Sequence, residues 1–135
     1  EALQPLRKIA SSGELSRLML ALKTVLADAD SIPVVVFDEI DVNIGGETAN
    51  RVGEELHNLG RHRQILCISH LAQVAARADR HYRVVKHTEG DRTFSESRLL
   101  NDRERAAEIA RMLGGGDSAL IHARSILRNL RAARD

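Results

Sequence analysis

Three acids, Asp38, Glu39 and Asp41, crowd behind the apolar run Ile32-Pro33-Val34-Val35-Val36-Phe37. Acids in that position do not belong to a core, and four apolar residues followed by Asp-Glu is how a Walker B segment reads. In that chemistry Asp38 holds Mg²⁺, mostly through water, because Mg²⁺ keeps several waters and takes one or two protein carboxylates. Glu39 then polarises the water that attacks a phosphate. A strand ending at a solvated acidic turn would need the same residues, and the segment alone does not separate the two readings. His70 closes a second apolar run, Gln64-Ile65-Leu66-Cys67-Ile68-Ser69. It is either a structural histidine or a further member of the same site. A third group comes earlier, where Ser11-Ser12-Gly13-Glu14 precedes Leu15, Leu18, Met19, Leu22, Val25 and Leu26. Free N–H groups and the dipole at a helix N-terminus attract phosphate. A serine N-cap with glutamate in the first turn accounts for the same residues as plain helix capping.

Positioning these groups takes a βαβ unit. The run to Phe37 has no alternation, which predicts a strand buried on both faces, as in a parallel sheet covered by helices. Acids at the carboxyl end of such a strand lie where open α/β sheets bind ligands. Asp41-Val42-Asn43-Ile44-Gly45-Gly46 reads as a loop. A helix is expected from Glu47 to about Gly60, burying Ala49, Val52, Leu56 and Leu59. Gln64 to Ser69 is the second buried strand. Two parallel strands with a crossover helix form a right-handed unit that brings His70 to the sheet edge of Asp38 and Glu39. The spacing from Leu15 to Leu26 predicts an amphipathic helix of about four turns, with Ser11 or Ser12 as its cap.

The rest of the chain closes the fold. A short helix is expected over 71–78 and a strand over 82–86. A hairpin turn follows at Glu89-Gly90-Asp91, then a polar strand over 93–99. Two helices, 103–113 and 118–132, flank Gly114-Gly115-Gly116, which supply a break or C-cap. Residues 1–9 carry no strong pattern, with Pro5 interrupting them, and read as a lead-in. The 135 residues suffice for one domain with a real core. Aromatics at 2% argue against a stacking platform for single-stranded nucleic acid. A net charge of +1 gives no general basic field, so any contact with DNA needs a local patch. The single Cys67 fits a buried thiol in a reducing compartment. No apolar run approaches the roughly 20 residues of a membrane span and no signal-peptide pattern opens the sequence, so a soluble cytoplasmic protein is expected.

In order and spacing, Ser-Ser-Gly-Glu before a helix, Val-Val-Val-Phe-Asp-Glu-Ile-Asp and Ile-Ser-His match a signature motif, Walker B with its D-loop, and an H-loop. The chain resembles the second half of an ABC-type ATPase head, and within that group the SMC-like branch, specifically the RecN family of bacterial DNA-repair proteins. The resemblance rests also on Ile-Ala-Ser-Ser-Gly-Glu-Leu-Ser-Arg-Leu-Met-Leu-Ala-Leu-Lys, Ser-His-Leu-Ala-Gln-Val-Ala-Ala and the late Arg-Met-Leu-Gly-Gly. It covers nearly the whole chain from Leu6. It implies an α/β fold and a single lobe over 1–135: the C-terminal half of an ATPase head, entered at 1–9 from a coiled coil.

The resemblance also implies roles for particular residues. Ser11, Ser12, Gly13 and Glu14 would contact ATP held by another head, and Asp41 and Asn43 would lie in a D-loop crossing the dimer interface. Asp38 would take Mg²⁺, Glu39 the water, and His70 the γ-phosphate. Lys23 stands where related repair ATPases carry a basic switch residue. Ser12 occupies a position where the signature usually has glycine, and its hydroxymethyl group either crowds the phosphate or supplies a donor. Gly45 stands where many relatives end the D-loop on aspartate.

These residues contain no Gly-x-x-x-x-Gly-Lys-Ser/Thr loop, the cradle and cation that P-loop ATPases need. The resemblance therefore implies as partners an N-terminal half of the same head, a second head paired through ATP, and DNA at the level of the full protein, at the bacterial nucleoid. Two rivals stand beside it. One is a non-catalytic dimerisation or DNA-binding module. Arg61, Arg63, Arg77, Arg80, Arg83 and Lys86 against Asp79, with Arg124, Arg128, Arg131 and Arg134 on the last helix, could bind phosphates. The other is the nucleotide-binding half of an ABC transporter. Asp41 argues against it, since transporters commonly carry proline and threonine just after the Asp-Glu pair.

Overall fold

The computed structural model describes residues 11–26 and 31–133. The lead-in expected at 1–9 lies outside them. The chain divides into two compact units, the first ending at Arg77 and the second beginning at Ala78.

Among the described residues of the first unit, helix α1, Ser12–Val25, comes first, capped by Ser11 as its sequence predicts. Strand β1 is Val34–Phe37, helix α2 Gly46–Leu59, strand β2 Gln64–Cys67 and the short helix α3 Ala72–Ala75. β1 and β2 pair in parallel, in register from Val34 with Gln64 to Phe37 with Cys67. Ile68 N–H extends the ladder by donating to Phe37 O at 2.9 Å. With α2 as the crossover, the segments after both strands leave the same end of the sheet. All four residues expected on the inner face of α2, Ala49, Val52, Leu56 and Leu59, are buried. They form the core with Leu20, Phe37, Ile40 and Val74, while Val35, Ile65 and Cys67 pack against it.

Two expectations need correction. The strands are covered on one face only: Val34, Val36, Leu66 and Ile68 are exposed. Alternate residues of a strand point to opposite faces, so these four line one bare apolar surface among the described residues. The apolar stripe of α1 also faces outward. Leu18, Met19, Leu22, Val25 (82% exposed) and Leu26 are open, whereas Gly13 and Leu20 (4%) are buried. Hydrogen bonds decide this orientation. Ser12, Ser16 and Leu20 recur every four residues and so share a face, and both serines bond to the turn after β1. Arg17 joins them there, and Leu20 is carried into the core.

The second unit is a hairpin followed by two helices. β3, Tyr82–Glu89, pairs antiparallel with β4, Arg92–Leu99, through the two-residue turn Gly90-Asp91. Gly90 takes φ 61°, the left-handed conformation that such tight turns demand. α4, Asp102–Met112, is capped by Asn101, whose side chain accepts from Glu104 N–H while Glu104 accepts from Asn101 N–H. Gly114 and Gly115, with φ 103° and 79°, end that helix. α5, Gly116–Ala132, then packs back onto α4. Ala106, Ile109, Ala110 and Ala123 are buried here, and Arg131 pairs with Asp102 at 3.1 Å.

Candidate functional site

The acidic turn begins where β1 runs out. Asp38 and Glu39 are exposed, Ile40 and Asp41 buried. Glu39 and Asn43 take φ 56° and 60°, a conformation costing a non-glycine residue about 1–2 kcal/mol. Such strain persists only where the surroundings over-determine it, and here α1 does so. Ser16 Oγ donates to Asp38 O at 3.1 Å, and the Arg17 guanidinium donates to Ile40 O at 3.2 Å and Val42 O at 3.0 Å. Ser12 Oγ donates to Glu39 Oε2 at 2.6 Å. A Cβ added at Gly13 would stand 3.1 Å from Glu39 O and 3.3 Å from Val42 Cβ. A side chain there would press on the turn, which would have to give by a few tenths of an ångström.

On the other side, Asp41 binds this turn to the segment after β2. Its carboxylate is 2% exposed. Oδ2 accepts from Ser69 Oγ at 2.5 Å, His70 N–H at 2.7 Å and Leu71 N–H at 3.2 Å, and the His70 imidazole Nδ1 lies 3.1 Å away. Burial pushes the Asp41 carboxyl up, but the Ser69 and His70 hydrogen bonds, with the His70 ring, outweigh it and hold the group below its ordinary value. His70 therefore does reach the rim of the acids, with its side chain 68% exposed. Its partner is Asp41, and Asp41 is turned inward. In the expected D-loop Asn43 is exposed, as are Gly45 and Gly46.

The helix end is engaged but open to solvent. Ser11 N–H and Oγ–H both donate to Glu14 Oε2 at 2.8 Å, and Glu14 N–H donates back to Ser11 Oγ at 3.3 Å. The Ser11 backbone and then its hydroxyl hold the Glu14 carboxyl below its ordinary value. Ser11, Ser12 and Glu14 remain exposed. Lys23 lies half-buried in the last turn of α1. The structure thus gathers Ser12, Gly13, Asp38, Glu39, Asp41 and His70 around one sheet edge. Sequence reasoning did not single out Ser16, Arg17 or Ser69. Their signal was available: Ser16 and Arg17 lie one helical turn beyond Ser12 and Gly13, on the same face.

Among the described residues, no three His, Cys, Asp or Glu side chains form a group that could hold a metal ion. Mg²⁺ does not require one, since one or two carboxylates suffice when water and phosphate supply the rest. The exposed oxygens of Asp38, with Glu39 beside it, fit that demand. The basic cluster is less available than its composition implies. Arg63 is 8% exposed and donates to Ile32 O at 3.4 Å, and Arg83 pairs with Glu108 at 3.5 Å.

Over 131 residues the chain is 50% identical to the DNA repair protein RecN of Treponema pallidum, covering 95% of the chain and 23% of that protein. RecN of Deinococcus radiodurans is 56% identical over 129 residues, 94% of the chain and 22% of that protein. The chain is similar to RecN proteins along nearly its whole length. RecN of Bacillus subtilis is 39% identical over 131 residues, 95% of the chain and 23% of that protein. The chain thus spans less than a quarter of the length of these curated RecN relatives, in their C-terminal part. No family model matches the chain. In fold it is similar to a solved structure from work on ATP-driven dimerization and DNA-stimulated activation of SMC ATPases. That match has a TM-score of 0.59 at 20% identity, covering 87% of this chain and 69% of the other. The α/β architecture expected from the resemblance is therefore shared with that structure.

Proposed function

We propose that this chain is the C-terminal part of an ATP-binding and hydrolysing SMC-like head that pairs with a second head around ATP. The assembly acts in DNA double-strand-break repair and recombination, at the bacterial nucleoid. One observation carries the reading: Glu39 stands exposed behind β1 in a strained left-handed conformation, with α1 bonded to its turn on one side and His70 on the other. The name of the RecN relatives, DNA repair proteins, supports the biological role. The structural neighbour, from work on ATP-driven dimerization of SMC ATPases, supports the pairing.

On this reading Asp38 would hold Mg²⁺, mostly through water, and Mg²⁺ would supply charge neutralisation at the phosphates. Glu39 accepts a hydrogen bond from the attacking water and takes its proton. His70 faces the same rim, oriented by Asp41. Ser11 and the N–H groups opening α1 face a nucleotide bound to the opposite head, with Asn43 in the loop that crosses between heads. The Walker A cradle comes from an N-terminal half, for which the bare face of Val34, Val36, Leu66 and Ile68 offers an apolar surface.

In a RecN-length protein carrying this segment, Glu39→Gln keeps the size of the side chain and removes the base. Turnover should fall at least about a hundredfold, while ATP-bound pairs accumulate in sedimentation velocity. Turnover at the parent rate would remove Glu39 from the mechanism.

A further inference from the structure

Ser12 differs from the other polar residues at the helix end, because its hydroxyl is committed to Glu39 and not to the cap. The Ser12 Oγ to Glu39 Oε2 distance of 2.6 Å lies in the short range of charge-assisted O–H···O⁻ bonds. The two side chains cannot drift apart independently. Ser16 and Arg17, one turn along α1, hold the carbonyls of Asp38, Ile40 and Val42, and Gly13 sits against Glu39 O and Val42 Cβ. The helix end and the acidic turn therefore keep a fixed separation at which this bond forms. A serine hydroxyl carries one proton to donate.

Resting on the ATPase reading above, we propose that the Ser12 proton is contested between Glu39 of the same chain and a phosphate oxygen at the N-terminal end of α1. Donation to one withdraws it from the other. An anion met by α1 takes the Ser12 hydrogen bond, and the Glu39 carboxylate regains a lone pair for water. Ser12 is thus a positioning residue that makes engagement of the signature end and release of the base a single event within one head. No covalent change is involved, only the transfer of one hydrogen bond between two acceptors.

The test is a double-mutant cycle on head pairing, read by sedimentation velocity in a RecN-length protein with a non-hydrolysable ATP analogue, so that turnover plays no part. Glu39→Ala should tighten pairing about tenfold, the worth of a hydrogen bond to a charged group. In a Ser12→Ala background the same Glu39→Ala change should tighten pairing far less, since no proton is then contested. Ser12→Thr retains the hydroxyl and should restore the parent behaviour. Equal effects of Glu39→Ala in both backgrounds, or a Ser12→Thr protein that behaves as Ser12→Ala, would overturn the proposal. Turnover in the parent that Glu39→Gln abolishes tests the underlying reading separately. A parent that neither pairs nor turns over ATP overturns both.

Discussion

Asp41 ties the two loops of the site together, and its environment sets how that tie responds to acid. Its folded-state value lies below the ordinary 3.8. Ionised Asp41 therefore contributes stability that is present above the unfolded value and lost as pH falls through the lower folded one. Asp41→Asn should cost about 1–3 kcal/mol near neutrality, where donors aimed at Oδ2 lose a charged acceptor. It should also flatten the acid limb below about pH 4. Urea unfolding of both proteins at pH 7 and in mild acid measures this, and a variant as acid-sensitive as the parent contradicts it. Cys67 offers a second check at this scale. Burial, then the charges of Asp41 and Asp38, push its thiol from 9.0 up to about 12. That leaves about a thousandfold less thiolate at mildly alkaline pH than an unshifted thiol has. Thiol titration with a disulfide reagent should find Cys67 slow until the chain is unfolded, and rapid reaction in the native chain would contradict the buried environment.

Helix α1 is where the sequence pattern and the structure part company. Leu15, Leu18, Leu22 and Val25 follow the 3.6-residue period well enough to predict a buried stripe. Yet the helix packs by the opposite face, through Leu20 and the serines and arginine that bond the acidic turn. Periodicity reports which side of a helix is apolar, not which partner lies within reach, and polar bonds outrank the stripe here. In the isolated chain Leu20→Ala should cost about 2–5 kcal/mol, whereas Leu22→Ala should change stability by no more than about 0.5 kcal/mol. Thermal unfolding separates these, and a larger loss at Leu22 would reverse the assignment of faces. The other elements were legible. β1, β2 and α2 follow from apolar runs of strand length and a four-residue stripe, and the hairpin from Gly90. The parallel pairing then brings His70 to the acids. Two features were out of reach of the pattern: that Asp41 turns inward, and that Ser12 bonds to Glu39. Both depend on contacts between residues about thirty apart in sequence.

In a RecN-length protein, on the proposed reading, this chain supplies the acids and the serine-capped helix while other residues supply the phosphate cradle. The exposed strand face and the outward stripe of α1 are apolar surfaces that an ATPase head would cover, and on the proposed reading the phosphate cradle would come from an N-terminal half. The isolated chain should therefore hydrolyse no ATP above background, and turnover should appear when the N-terminal half is supplied. A phosphate-release assay on both samples reads this directly, and magnesium-dependent turnover by the chain alone would contradict it.

The central claim is that the carboxylate of one head works opposite the serine-capped helix of another. Mixing two inactive RecN-length variants, Glu39→Gln and Ser11→Ala, tests it most directly. Mixed pairs would contain one site with an intact base on one head and an intact helix end on the other, so turnover should rise well above the sum of the separate variants. A mixture no more active than that sum would show that the two groups serve the same head, and the account would fail.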